Sequence, residues 1–596
     1  MLGDDSRSTL TVVRSLGRLG LEVILGAEDP HSIVPTSRYV ARTVWLPSTR
    51  DRLEDWTASV LTLLAERRFA LVIPTGDETI LPIVARRPAF ESLACLAIPH
   101  ERGFELSYRK QQTFAMAKEL CVPTPWTQTI ETEAELGQLL RDPQLPMPAV
   151  VKPNQSVIWH EGKMVRLKVT TALTRQDLEE QARALLPLTP LLVQSFTPGI
   201  GVGQEFLAND GQILAAFQHE RIHEPPSGGG SSYRRSVPLD ESLLVYSRRM
   251  LEYMRWTGVA MIEYKRETAS GRFALMEING RFWGSLPLTL AAGMDFPAWL
   301  YQLLVDGALP RVLPYRVGIY SRNLEKDANW FTQNWRAPRD NPLLITIPRW
   351  KLLREAQHVF TGRERWDTVT LDDWRPGLKE ATQLATLARA RAGAKLRHRM
   401  LGLLAGSAWW RKRQAVRVNA LARQTPRLLF MCKGNICRSP FAEAYIRKLL
   451  GAGAKELELI SGGTSPHAGR PCPEAAVRAA GEFGLSLDRH RSSQLSRRLV
   501  TRAGAIFCMD LENYDALLAS YPEARGRCFL LRTFDRTAPG TTIPDPWGES
   551  LEVFRLCYQA IADSIEGLLL ALRPVVPDEL ADRRCPPRPT AHSSVA

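Results

Sequence analysis

The segment Cys432-Lys433-Gly434-Asn435-Ile436-Cys437-Arg438-Ser439 sets a thiol and a guanidinium five residues apart, between an apolar run at 427–431 and a helix expected from about Ser439. Strand, short loop and helix make an anion site, because successive backbone N–H groups and the helix N-terminus point at one bound phosphate. Gly434 gives the backbone room to curl. Arg438 offers a planar fork for phosphate oxygens, and its charge joins the helix dipole in favouring a Cys432 thiolate able to attack phosphorus. Ser439 can donate a hydrogen bond to that thiolate. In-line displacement also needs a proton donor for the leaving oxygen, and Asp545 fits, stiffened by proline on both sides in Ile543-Pro544-Asp545-Pro546-Trp547-Gly548. Trp547 would wall the pocket and stack on an aromatic leaving group, favouring phosphotyrosine over the shorter phosphoserine.

A second constellation lies upstream. Lys110 and Lys152 could neutralise nucleotide phosphates, while Glu263, Glu277 and Asn279 supply hard oxygen ligands for Mg²⁺ or Mn²⁺. On a strand, residues two apart share a face, so Glu277 and Asn279 can hold one metal while Arg281 reaches a phosphoryl group.

The elements that must position these residues read as α/β throughout. A chain of 596 residues implies about three or four structural units. Residues 12–19 have helical spacing, and 21–26 and 70–74 read as short strands of a doubly wound unit. Gly3 to Ser8 resembles the turn after a first parallel strand, a strand that is missing or begins upstream. Further strands are expected at 149–152, 191–194, 204–207 and 273–278, separated by loops such as Pro225-Pro226-Ser227-Gly228-Gly229-Gly230-Ser231-Ser232. From 312 to 380 the pattern weakens and carries no assignable motif. Residues 573–596 read as a disordered tail.

Over about 426–572 the chain resembles the low-molecular-weight protein-tyrosine phosphatases, on Cys-x-Gly-Asn-Ile-Cys-Arg-Ser-Pro followed by Asp-Pro-aromatic. The resemblance implies a doubly wound domain with a central parallel sheet, no cofactor, and a phosphotyrosine protein as substrate. It implies a phosphocysteine on Cys432, Arg438 on the phosphoryl oxygens, Cys437 within the loop, and Asp545 as acid and then base. Asn435, Ser439, Ser461 and His490 would hold the loop in shape. Gly548 departs from members with a second aromatic there. Arsenate reductase on the same fold is the rival. It needs closely spaced redox cysteines, whereas Cys472, Cys508, Cys528 and Cys557 are widely separated.

Over about 109–309 the chain resembles the ATP-grasp superfamily, in particular carbamoyl-phosphate-synthase-like carboxylate ligases. Such enzymes phosphorylate a carboxylate with ATP and let an amine or thiol displace the acyl phosphate. The resemblance makes Gln194, Ser195 and Phe196 the adenine-contacting hinge, with backbone groups of Gln194 and Phe196 in contact. The expected organisation is a pre-ATP-grasp α/β domain (1–105), an ATP-grasp domain (106–311), a helical or irregular extension and basic linker (312–425), the phosphatase domain (426–572) and the tail. An active ligase and a nucleotide-binding module regulating the phosphatase are both compatible with these residues, and an interaction scaffold with inactive sites is the third class.

Composition restricts the partners. Hydrophobic content of 44% and charged content of 23% suit a globular protein, and no run approaches the ~20 apolar residues of a membrane span. With no secretory leader at the start and nine irregularly spaced cysteines, the expected compartment is cytoplasmic. The net charge of +14 is concentrated, since 381–442 holds no Asp or Glu while 389–427 is rich in Arg and Lys. Nucleic acid is disfavoured, because no recognition motif accompanies the charge. Two readings of the linker stand: an interfacial helix on anionic lipid with Trp409 and Trp410 at the headgroups, giving peripheral membrane association, or a helix packed on the phosphatase with a solvated basic face.

Overall fold

The computed structural model describes residues 1–3, 7–225, 229–268, 270–337, 344–451, 457–465 and 468–572. Residues 4–6 of the expected turn (3–8), part of the glycine-rich loop (226–228) and the expected tail (573–596) lie outside the described residues, while Arg7 and Ser8 begin a helix. The chain is a multidomain α/β protein, and it divides into two compact units, Met1–Thr386 and Leu387–Ala596.

The first unit opens with parallel strands β1 (Val23–Ala27) and β2 (Val40–Trp45), preceded by the helix Arg7–Arg18, whose residues Leu10, Val12, Val13 and Leu16 are buried. Leu2 forms parallel bridges to Gly26 and to Pro74, and Val72 bridges Leu96. The strand expected at 70–74 is thus reduced to isolated bridges.

Strands β3 (Thr127–Ile130), β4 (Ala149–Pro153), the hairpin β5 (Val157–His160) and β6 (Lys163–Arg166), β7 (Thr170–Ala172) and β8 (Leu191–Ser195) follow. Four of them form an antiparallel sheet in the order β3-β8-β4-β7. The helices Glu133–Arg141 and Arg175–Leu185 each start at a capping box, Thr132 with Glu135 and Thr174 with Asp177, satisfying N–H groups that helix geometry leaves open. Their buried leucines, Leu136, Leu139 and Leu178, share one core with the sheet.

Strands β9 (Gly199–Asn209), β10 (Gln212–His223), β11 (Tyr233–Ser236), β12 (Gly258–Glu267), β13 (Phe273–Asn279), β14 (Tyr320–Arg322) and β15 (Glu364–Trp366) build a seven-stranded sheet in the order β13-β12-β9-β10-β11-β14-β15. Two of these strands come from the segment expected to be an irregular extension beyond residue 311. That segment continues the sheet instead. Its strands are three residues long and held by charge rather than apolar burial: Arg322 pairs with Asp327 and Glu364, and Arg234 pairs with Asp367 at 2.6 Å.

In the second unit, strands β16 (Arg427–Cys432), β17 (Glu458–Gly463), β18 (Ala505–Cys508) and β19 (Cys528–Leu530) form an all-parallel sheet ordered β17-β16-β18-β19. Leu428, Leu429, Phe430 and Met431 are all fully buried, as expected of a central strand covered on both faces. The order reverses beside β16, and in open α/β sheets ligands bind beyond the carboxyl ends of the strands at that point. Cys432 is the last residue of β16. Ahead of the sheet, the helix Arg375–Gly406 breaks at Ser407 and the helix Ala408–Gln424 follows, with Val418 and Ala422 buried in the phosphatase core. No helix among the described residues is long and apolar enough to cross a membrane.

Candidate active sites

The loop between β16 and the helix Arg438–Leu450 is shaped by Asn435. Its φ of 52° is left-handed, a region that Asn tolerates better than most residues. Gly434, expected to provide the curl, has no positive φ. Asn435 is fully buried and uses every polar group. Its N–H donates to Cys432 Sγ (3.2 Å), its Nδ2 to Ser439 Oγ (2.9 Å) and Ser461 Oγ (3.0 Å). Its Oδ1 accepts from Ser493 N (2.7 Å), and its carbonyl lies 2.8 Å from His490 Nε2. Ser439 Oγ stands 3.1 Å from Cys432 Sγ.

Glycine matters instead on the neighbouring strand. A Cβ on Gly463, the last residue of β17, would lie 2.8 Å from Lys433 O and 2.9 Å from Asn435 N, so only glycine lets the strand end pass under the loop.

Arg438 is buried and joins three segments. Nη1 donates to Asp510 Oδ2 (2.5 Å) and to Ile543 O (2.9 Å), and Nη2 donates to Asp545 Oδ2 (2.7 Å). Its buried Nε–H has no hydrogen-bond partner among the described residues. Burial works against its charge, but Asp545, Cys432 and Asp510 outweigh that and raise its pKa. The Asp545 segment is tied down by Ile543 N donating to Met509 O (2.8 Å). Asp545 keeps 42% of its side chain exposed, and Trp547 beside it is 65% exposed. Tyr558 OH donates to Cys437 O (3.2 Å), fixing the helix start, while Lys433 and Ile436 complete the loop.

Asp510 was not singled out in the sequence. It follows β18 and caps the helix Leu511–Ser520 through Asn513 N, and its place after the strand next to β16 is the one signal that could have found it. Arg470, whose Nη2 lies near Gly434, was missed likewise.

The upstream residues also gather. Glu263 and Glu277 are cross-strand partners on β12 and β13, and Asn279 Nδ2 donates to Glu263 Oε1 (3.3 Å) and Glu277 Oε1 (3.2 Å). These two carboxylates and one amide are an oxygen donor set of the kind Mg²⁺ takes, once the amide is turned to present Oδ1. Among the described residues no group of three or more His, Cys, Asp or Glu side chains forms a metal cluster, so the amide is needed to complete the set. Burial raises the pKa of Glu263 despite its ion pair with Arg221, a residue of β10 that the sequence did not reveal. Burial also acts on Glu277, but Lys110, Asn279 and Lys152 overcome it and lower its pKa.

Lys110 begins the helix Lys110–Glu119 and donates to Ser156 Oγ (2.9 Å), at the base of the β5–β6 hairpin. Lys152, on β4, donates to Met276 O (3.4 Å), and burial pushes its ammonium down to about 8. One cleft is lined by Lys110, Ser156, Glu277, Asn279, Arg281 and Asp77.

Two expectations meet partners that the sequence did not show. Arg281 is engaged by Asp77 Oδ1 at 2.6 Å, so a carboxylate of the N-terminal segment already holds the group expected to reach phosphate. The N–H of Phe196 is given to Pro148 O (3.0 Å), that of Ser195 to Trp126 O (3.0 Å), and Gln194 lies between β3 and β4 in the middle of a sheet. The hinge donor implied by the resemblance is therefore not the Phe196 N–H.

A loop carrying Cys432 at the end of a central parallel strand, with the buried Arg438 joining it to Asp545, is the arrangement of a phosphatase site. The chain belongs to the low molecular weight phosphotyrosine protein phosphatase family, whose profile matches residues 427–577, and a second profile, ATP-grasp in the biosynthetic pathway with Ter operon, matches residues 188–326. Among relatives, the low molecular weight protein-tyrosine-phosphatase Wzb of Escherichia coli (strain K12) is 35% identical over 24% of this chain and 94% of its own length. A protein-arginine-phosphatase of Geobacillus stearothermophilus is 32% identical over 24% of this chain and 90% of its own. A solved structure of Vibrio vulnificus Wzb in complex with benzylphosphonate is 31% identical, covers 25% of this chain and 97% of that one, and has a TM-score of 0.22. The second unit is thus a phosphatase fused to an ATP-grasp domain of ligase type.

Proposed function

We propose that the second unit hydrolyses phosphotyrosine through a phosphocysteine. The observation that carries this reading is Arg438, buried between the Cys432 loop and Asp545 with one N–H still unpartnered. With phosphate bound, Arg438 gives its N–H groups to the phosphoryl oxygens and frees Asp545 to be protonated. Cys432 Sγ then attacks phosphorus in line, forming the S–P bond as the P–O bond to tyrosine breaks, and Asp545 passes its proton to the leaving phenolate. Asp545 then takes a proton from the water that attacks phosphorus and releases Cys432. Ser439 and the Asn435 N–H stabilise the thiolate before attack and on departure.

Trp547 can stack on a tyrosine ring, but a guanidinium also stacks on an indole face, so the family match rather than Trp547 carries the choice of phosphotyrosine over phosphoarginine. The arsenate reductase alternative needs closely spaced redox cysteines, whereas Cys472, Cys508, Cys528 and Cys557 are widely separated in sequence and buried. Replacing Cys432 with Ser should abolish hydrolysis of p-nitrophenyl phosphate and of phosphotyrosine peptides. Parent-rate hydrolysis by Cys432→Ser would overturn the assignment, and faster turnover of phosphoarginine than phosphotyrosine would reassign the substrate.

For the first unit the reading is an ATP- and Mg²⁺-dependent carboxylate–amine or carboxylate–thiol ligase. Lys110 and Lys152 bind the nucleotide phosphates, and Glu263, Glu277 and Asn279 hold the metal, which when bound neutralises phosphate charge. The convergence of Asn279 on both glutamates supports this. ADP release across a panel of carboxylates with amines or thiols tests it: stimulation by one pair, lost in Glu277→Gln, is expected. Silence across the panel with ATP still bound would favour a nucleotide-sensing module.

A further inference from the structure

We propose that the outward faces of residues 389–406 and of the helix Ala408–Gln424 form a docking surface for an anionic phospholipid bilayer. The observation behind it is that these helices carry apolar residues on two opposite sides, and packing uses one of them. On the inward side Leu401 packs on the phosphatase core, and Ala405, Val418 and Ala422 are fully buried. Polar groups fix the same orientation: Arg397 and His398 reach Asp515 at 2.5 and 2.8 Å, and Arg417 donates to Gly526 O at 2.8 Å.

The outward side is apolar again. Leu396, Met400 and Leu403 follow one another at helical spacing and are 61%, 54% and 80% exposed, and Trp409 and Val416, two turns apart, are 66% and 63% exposed. Single exposed apolar residues are ordinary, but five in two consecutive helices, all on the side away from the core, are not. Because inward and outward stripes oppose each other, the segment looks non-amphipathic when read as one helix. Each outward face taken alone has an apolar centre with basic flanks.

The flanks decide the occupant. Lys412, Arg413 and Arg423 are exposed around Trp409 and Val416, the Arg413 guanidinium lies 5.5 Å from the Trp409 ring centre, and Arg399 stands beside Met400. Between 381 and 442 there is no acidic residue to repel an anion. A nucleic acid would use the cations and a stacking ring but leave Leu396, Met400, Leu403 and Val416 in water. A bilayer with anionic headgroups takes both, placing apolar side chains at the acyl boundary and Trp and Arg among the headgroups. Packing on the phosphatase and contact with lipid are therefore compatible uses of opposite sides.

The test is co-sedimentation of the full chain with phosphatidylcholine vesicles and with vesicles containing about 30% phosphatidylglycerol. The bound fraction should rise by about tenfold or more with the anionic lipid and fall in high salt. The double variant Leu403→Glu/Trp409→Glu should lose binding, as should Lys412→Glu/Arg413→Glu, with p-nitrophenyl phosphate turnover unchanged in both as proof of folding. Equal sedimentation with both vesicle types overturns the proposal. So does undiminished binding by the Leu403→Glu/Trp409→Glu protein, or competition by duplex DNA that follows the charges alone, which would make the surface a simple polyanion site.

Discussion

Asp510 should act as a positioning residue for Arg438, and replacing it with Asn isolates that role. Asn caps a helix about as well as Asp, so the bond to Asn513 N that starts the helix Leu511–Ser520 survives. What changes is the bond from Arg438 Nη1, which is 2.5 Å long and formed by a guanidinium that is 2% exposed. The cap uses Oδ1 and the Arg438 bond Oδ2, so an Asn that keeps the cap turns its Nδ2 donor toward Nη1, and a charged hydrogen bond of about 1.5–3 kcal/mol is lost. If that bond orients Arg438 on the phosphoryl group, kcat/KM for p-nitrophenyl phosphate falls about 10- to 100-fold in Asp510→Asn, with the melting temperature lowered by only a few degrees. Asp510→Ala loses the cap as well, so it should lower both kcat/KM and stability, the latter by about 1 kcal/mol more. Arg438 keeps Ile543 O and Asp545 in either variant, so neither should unfold the domain. Steady-state kinetics with thermal melts decide. An Asp510→Asn enzyme within twofold of the parent would show that Asp510 is merely a helix cap.

Two further perturbations probe the framework. Gly463→Ala puts a methyl against the backbone of the Cys432 loop, where overpacking costs about 1–3 kcal/mol, so phosphatase kcat should drop about tenfold; Gly462→Ala meets mainly the movable Leu495 side chain and should be far milder, and equal effects would refute the distinction. In the first unit, burial opposes a charge on His223, but bonds to Asp327 (2.7 Å) and Glu355 (3.1 Å) outweigh it and raise the His223 pKa above 6.5. A raised folded-state pKa contributes stability that is complete below the unfolded value and is lost as pH climbs through the folded one, so thermal stability should decline from about pH 6.5 upward. In His223→Gln that slope should flatten, and melts with the parent slope would refute the linkage.

Much of the candidate phosphatase site was legible because it is local. Eight contiguous residues carry the nucleophile, the arginine and the loop, and proline on both sides marks Asp545. What stayed hidden depends on neighbours in space. The left-handed turn belongs to Asn435 rather than Gly434 because Asn435 alone has partners on Ser439, Ser461, Ser493 and His490 to hold it there. The strands at 320–322 and 364–366 escaped because hydrophobic periodicity cannot report a sheet edge held by Arg322, Glu364 and Asp327.

The upstream cluster shows the limit from the other side. Its donors meet by cross-strand register, Glu263 opposite Glu277, with Arg221 reaching over from β10 and Asp77 from the N-terminal segment to Arg281. A one-residue slip between β12 and β13 would turn the two glutamates to opposite faces, so the proposed metal set is a property of sheet alignment and not of the residues between 277 and 281 alone. Asp77 also makes that chemistry depend on the first α/β segment. Removing its carboxylate in Asp77→Asn would release Arg281 from its partner at 2.6 Å while leaving Glu263, Glu277 and Asn279 in place. Metal and nucleotide binding should therefore persist in that variant while coupled ADP release changes, and loss of nucleotide binding would mean that the pair supports the fold of the cleft rather than the placement of Arg281.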